Sequence, residues 1–295
     1  MRVNPNPTAD LIAALQQNQQ LINNDLQQIA SGQSINVPAD NPANAAMLVR
    51  NASQTSEADQ FLRSIGSTLG EMQNADSTLN SVSTTLQRAI SLGVQGANGT
   101  LSDADRAAIA TEVQGIQAQL VSLANLSYQG TFVFAGTATQ TAPYVLDPAS
   151  SSGVIYVGNA GSNNVTFGSH FTLQTNLPGS VLFSAPGSDM FQAVNDLNTS
   201  LQAGTGIDAA LGEVRSAFDH VNAQRVFYGN AINQLNSQET FLHTETLQLA
   251  KQQNDLGGTD LSAVISNLVN AQTSRQATLE AIARTTQTNL FDFVK

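Results

Sequence analysis

Val214, Val221, Tyr228, Leu235, Leu242, Leu249 and Leu256 stand at strict seven-residue intervals. Between them Leu211, Phe218, Arg225, Ile232, Glu239, Thr246 and Gln253 complete a 4-3 alternation. That spacing lays one seam along a helix of about 50 residues, roughly 75 Å long at about 1.5 Å per residue. A helix cannot bury its own seam, so the chain must supply partner helices of similar length. The second set is apolar only as far as Ile232. Beyond it the seam narrows to a leucine row, Leu242, Leu249 and Leu256, which needs further cover.

The rest of the chain reads as that supply. Over residues 8–30, Leu11, Leu15, Ile22 and Ile29 form a thin stripe, with Leu21 and Leu26 alongside and Asn18 and Asp25 at further seam positions. Ser31-Gly32 breaks this helix, and a loop runs from Gln33 to Pro42. Asn41 is placed to cap the next helix, with Pro42 at its first position. That helix carries Met72, Leu79 and Leu86 on one seam and Ala75, Val82 and Ala89 on the other, and ends at Gly96 and Gly99. Ser102, followed by Asp103 and Asp105, caps a third helix striped by Ile109, Val113, Ile116, Leu120 and Leu123.

At Tyr128-Gln129-Gly130 the period changes to two. Runs at 131–134, 154–157, 164–167, 171–173 and 181–183 predict short strands separated by Gly, Asn, Ser and Pro. A short helix follows, with Met190, Phe191, Val194, Leu197 and Leu201, and Gly204 and Gly206 turn the chain into the heptad helix. Gly257-Gly258 closes it. Thr259 or Asp260 caps a last helix striped by Leu261, Ile265, Leu268, Leu279, Ile282, Leu290 and Phe293. The expected fold is mainly α: an elongated, hairpin-like bundle of long heptad helices from both chain ends with a small central β module. Its expected parts are 1–44 with 256–295, 45–129 with 189–255, and 130–188.

Charge excludes several functions. The net charge is −11 and the only lysines are Lys251 and Lys295, which argues against nucleic acid and anionic membrane as partners. Without cysteine there is no disulfide and no thiolate metal site. From Met1 to Gln20 no basic stretch leads into an apolar run, so no cleavable signal is expected, and no window is apolar enough to span a bilayer. His170, His220 and His243 lack ligand spacing, and Asp103 and Asp105 lack the Gly and distal Glu of a calcium loop. No phosphate loop, nucleophile elbow or zinc-protease motif occurs. No catalytic residue, cofactor or metal is expected. Arg225 and Glu239 on the seam leave two readings open, interface ions or snorkelling side chains. The pattern is that of a structural polymer subunit.

Specific runs then resemble the bacterial flagellin superfamily. Ile29 to Ala43 is similar to that family's turn after the first helix. Leu86 to Thr100, with Ser102 to Arg106 and Glu112, is similar to its helix–turn–helix signature. Two departures lean away from filament flagellin toward the branch that joins hook to filament. Tyr128 to Gly136 stands where flagellins carry a Phe-Asn-Gly type turn, and Asn289 to Lys295 stands in place of a terminal Leu-Leu. Asn41-Pro42 leans the same way.

The resemblance implies paired axial terminal helices, a middle bundle and an outward β module. It implies a secreted subunit of the extracellular flagellum, passed through the flagellar type III apparatus with a chaperone on the C-terminal helices. The implied partners are the other hook-associated junction protein, flagellin or the filament cap, and further copies of the chain in a ring. The expected assembly interface is Leu11, Leu15, Ile22, Ile29, Leu242, Leu249, Leu256, Leu268, Leu279, Ile282, Leu290 and Phe293. Arg88, Leu92 and Glu112 match positions of the family's immune-receptor patch. The alternatives are filament flagellin itself or, in another class, a self-contained coiled-coil adhesin with a β head.

Overall fold

The structure, a computed structural model, describes residues 7–168 and 171–292, with side chains from 9 to 284 outside that gap. His170 and Phe293 lie outside the described residues, as does the Leu290 side chain. Among the described residues the helices are α1 (Pro7–Ser31), α2 (Pro42–Gly96), α3 (Asp103–Ala124), α4 (Gly179–Leu182), α5 (Met190–Ala203), α6 (Ile207–Gly257) and α7 (Leu261–Asp292). The strands are β1 (Ser127–Tyr128), β2 (Thr131–Phe132), β3 (Tyr144–Leu146), β4 (Val154–Tyr156), β5 (Asn164–Phe167) and β6 (Phe171–Gln174). The fold is mainly α, with long helices at both chain ends and small strand pairs between them.

Side chains at the helix boundaries satisfy backbone groups the helices leave free. Asn41 Oδ1 accepts from Asn44 N–H at 3.1 Å at the start of α2. Ser102 and Asp105 form a reciprocal capping box on α3. Asp189 accepts from Phe191 and Gln192 N–H on α5, which ends at Gly204 in the left-handed region. Asp260, one of the two expected candidates, accepts from Ser262 and Ala263 N–H on α7.

The chain forms two compact units. One takes the chain ends, up to Glu57 and from Thr244; the other runs from Ala58 to His243. In the second unit the seam of α6 is closed: Val214, Tyr228 and Leu235 are fully buried and Val221 nearly so. Both seams of α2 are equally enclosed, with Met72, Ala75, Leu79, Val82, Leu86 and Ala89 all at 0% exposure. Helix α3 packs on α5, whose Met190, Phe191, Val194, Leu197 and Leu201 are fully buried.

The strands form three separate antiparallel hairpins, β1–β2, β3–β4 and β5–β6. Gln129 and Gly130 both have positive φ, 50° and 83°, so the first hairpin turns through a two-residue loop suited to the strand twist. A lone hairpin is at best marginal in water. Here Phe134, Tyr144 and Phe167 enter the same core as α2 and α6. Phe134 stands edge-on to Phe183 at 5.1 Å, and Tyr144 packs on Phe191 at 4.7 Å.

Two strand expectations change. The run at 181–183 is helical: α4 ends at Leu182 and Phe183 is its C-cap, both fully buried. A three-residue apolar run fits a buried helical turn as well as a strand. In the other direction, β1 and β3 pair without an alternating run to announce them.

Polar contacts fix how α2 and α6 meet. Arg225 Nε donates to Asp76 Oδ1 at 3.1 Å and Nη1 to Asn80 Oδ1 at 3.1 Å, while Ser83 Oγ donates to Asn222 Oδ1 at 2.9 Å. Arg225 is thus spent within the chain. Because the apolar layers repeat every seven residues, these polar contacts distinguish one register from the next. A double-mutant cycle with Arg225→Leu and Asp76→Leu is expected to give a coupling of about 1–2 kcal/mol, between exposed and buried pairs. Denaturant unfolding measures it.

Candidate assembly surface

In the unit that holds the chain ends, the turn after α1 is built on one carboxylate. Asp40 Oδ2 accepts from Asn36 N–H at 2.9 Å and from Val37 N–H at 3.0 Å. Those two bonds hold the Asp40 carboxyl below its ordinary pKa. The turn is joined by backbone to the α6–α7 turn. Ser34 N–H donates to Gly257 C=O at 2.8 Å, Thr259 N–H donates to Gly32 C=O at 3.2 Å, and Gln33 and Gly258 form an antiparallel bridge. Leu48 lies so close to Gly257 that an added Cβ would stand 3.1 Å from its Cδ1. The two turns therefore set where α1 and α7 begin their pairing.

Helix α1 packs along α7. Ile22 from one side and Val264 and Ala271 from the other are the apolar side chains it buries among the described residues. Asn18 Nδ2 donates to Ser274 Oγ at 3.2 Å across the pair. Leu11, Leu15 and Ile29 on α1, and Leu268 and Ile282 on α7, are half-buried. Around this narrow contact the flanks are apolar and uncovered. On α7, Leu261, Ile265 and Val269 follow at four-residue steps, about half exposed, with Leu279 also exposed. On α1, Ile12, Leu21 and Leu26 are also about half exposed, without that regular spacing. Val49 and Leu247, at 72% and 71%, are the most exposed large apolar side chains among the described residues of this unit.

The expected interface residues fall into distinct groups. Leu11, Leu15, Ile22, Ile29, Leu268, Leu279, Ile282 and, half-buried, Leu256 sit on or beside the α1–α7 and turn region. Leu242 and Leu249 require a correction, because the chain already covers them, to 3% and 8% exposure. The reason is that the seam leucines of α6 face inward as far as Leu249, whatever the polarity of the second set. The outward apolar positions are Leu247 here and, in the other unit, Phe241 and Val226, which lie off the seam. Leu290 and Phe293 lie outside the described side chains.

The receptor-patch residues also need correction. Arg88 donates twice to Glu112 Oε1, at 2.9 and 2.6 Å, so two exposed charges satisfy each other. Leu92 is 2% exposed and belongs to the core. A patch of three accessible side chains does not exist there, because Leu92 lies on the packing face of α2. Among the described residues no cluster of three or more His, Asp or Glu is placed to hold a metal, and no helix is long and apolar enough to cross a membrane.

What this geometry offers is apolar and amide surface on paired helices at the chain ends. Residues 5–139 match the family model described as the bacterial flagellin N-terminal helical region. That match takes in α1, α2, α3 and the first hairpin. The chain as a whole is similar to flagellar hook-associated protein 3 of Escherichia coli (strain K12), 26% identical over 91% of this chain and 92% of that protein. It is also similar to flagellin of Listeria monocytogenes, 23% identical over 89% of this chain and 87% of that protein. A solved structure of flagellar hook-associated protein 3 from Legionella pneumophila shares its fold, with a TM-score of 0.63 and 15% identity over 70% of this chain and 98% of that one.

The turn gives a pH test. Asp40 has a folded pKa below its unfolded value, so its contribution is complete above the ordinary carboxylate range and is lost as pH falls through the lower, folded value. Asp40→Ala is expected to expose the Asn36 and Val37 amides to exchange at neutral pH, whereas the native turn opens only in acid. Hydrogen exchange at those two amides, followed against pH, reads the difference.

Proposed function

We propose that this chain is a structural subunit of the bacterial flagellum that joins hook to filament by helix-mediated polymerisation. The observation that carries the reading is the uncovered apolar flank of the α1–α7 pair, chiefly Leu261, Ile265 and Val269 on α7 and Ile12 and Leu26 on α1. Apolar surface in a row on paired helices is surface that neighbours cover. The end-to-end likeness to hook-associated protein 3 supports the junction role. In this reading residues 1–44 with 256–295 are the axial coiled-coil domain, 45–129 with 189–255 the helical rod domain, and 130–188 the outward β domain. The partners are a second hook-associated junction protein on one side, flagellin or the filament cap on the other, and further copies of this chain in a ring. The chain leaves the cell through the flagellar export apparatus, guarded by a chaperone on its C-terminal helices.

Filament flagellin is the second reading, favoured by the likeness to the Listeria flagellin over nearly the whole chain. Deleting the gene separates them. Hooks left bare with flagellin shed into the medium fit the junction role, and loss of flagellin antigen itself fits the alternative.

The Ile265→Ser, Val269→Ser double variant tests the surface. It is expected to keep the helix content and thermal unfolding of the native monomer, since both side chains are already exposed, yet to leave hooks without filaments. Normal filaments in that strain would remove this flank from the interface. With so few side chains buried between α1 and α7, protection of 9–30 and 261–284 against hydrogen exchange is expected to be weak in the monomer and strong after assembly. Strong protection in the monomer would remove ordering on assembly from the mechanism.

A further inference from the structure

Asn98-Gly99 is the only Asn-Gly pair in the sequence, and it stands in the exposed turn between α2 and α3. Its geometry is specific. Asn98 Oδ1 accepts two hydrogen bonds from one residue, Thr100 N–H at 3.1 Å and Thr100 Oγ–H at 2.9 Å. Gly99 N–H has no partner among the described residues, and a Cβ on Gly99 would meet nothing within 4 Å. The neighbouring backbone is held: Asn98 N–H donates to Gln95 C=O at 3.2 Å and Leu101 N–H to Asn98 C=O at 3.1 Å.

We propose that this turn is a site of self-catalysed deamidation, in which the two Thr100 donors act on the Asn98 side-chain carbonyl as an oxyanion hole acts on a reacting carbonyl. Gly99 N loses its proton to solvent and attacks Asn98 Cγ. The C=O electrons move onto Oδ1, where the Thr100 N–H and O–H meet the developing charge. The tetrahedral centre collapses, the Cγ–Nδ2 bond breaks, and Nδ2 takes a proton from water and leaves as ammonia. The bond formed between Gly99 N and Asn98 Cγ closes a five-membered imide. Water then opens the imide at either carbonyl and leaves aspartate or its β-linked isomer. Glycine matters at the attacking position because no side chain obstructs its nitrogen. Each conversion adds a negative charge to a chain already at −11, and the β-linked product lengthens the backbone just before the Ser102 cap.

The same hydrogen bonds have a rival consequence, since they also restrain the side chain that must swing into reach. The two effects predict opposite signs. The full chain, incubated at mildly alkaline pH, is mapped by peptide mass spectrometry and by isoaspartyl methyltransferase labelling. Asn98 is expected to convert ahead of every other asparagine. Thr100→Val, which deletes the hydroxyl donor, is expected to slow it roughly three- to tenfold, the rate equivalent of one solvated hydrogen bond. Thr100→Ser keeps the donor and is expected to keep most of the rate. The proposal is overturned if Thr100→Val leaves the rate unchanged or raises it, or if Asn98 stays intact while other asparagines convert.

Discussion

Burial of one seven-residue repeat sets the terms for the rest of the structure. The inward row of α6 can be dry only if another long helix lies along it, and α2 supplies that helix with two apolar rows of its own, every member from Met72 to Ala89 fully enclosed. Two helices leave an open side, and in the second unit α3, α5 and the hairpin aromatics contribute to the same core. Once water is excluded, each polar tip in that core must find a partner. The Tyr228 hydroxyl accepts from Leu177 N–H at 3.3 Å, and the Tyr144 hydroxyl meets Ser184 Oγ at 3.1 Å. Burial pushes both phenols well above their ordinary pKa, so both stay protonated throughout the usual range.

Helices were legible in the sequence because their signals are long and redundant. The seams of α2, the stripe of α3 and the caps at Asn41, Ser102 and Asp260 all stand where periodicity and capping chemistry put them. The strand region was legible only as a change of period. Strands of two to four residues are too short for alternation to declare itself, and their pairing is fixed from outside. At β3, Asn125 donates to Tyr144 C=O and accepts from Tyr144 N–H, both at 2.8 Å, so a side chain before β1 pairs with the strand's backbone. No local pattern around Tyr144 encodes that.

The uncovered apolar surface at the chain ends was legible in its location and not in its detail. Thin stripes at both chain ends pointed to α1 and α7, but a stripe marks the side a helix buries first. Leu242 and Leu249 follow the seam and are consumed inside the chain, while Leu247, two positions off it, is left outside. Leu92 shows the same rule on α2. Which face remains uncovered depends on how wide the partner helix is, and α7 is narrow in its grip on α1: Ile265 and Val269 stand just beyond it.

A subunit of this kind must be soluble alone and yet lose its solvation when it meets its neighbours. Charged side chains serve the first need and obstruct the second, because removing an ion from water costs far more than removing an amide. Identical copies also bring identical charges together. The chain answers with composition: only 11% of its residues are charged, and the exposed polar side chains of α1 are mostly Gln and Asn, with Asp10 its exposed acid. Amides donate and accept, so they are satisfied by water in the monomer and by one another across a contact. Interleaved with Ile12, Leu21 and Leu26, they keep an apolar flank in solution without the desolvation cost that charges would impose on its burial. That balance, more than any single leucine, is what suits the chain ends to association.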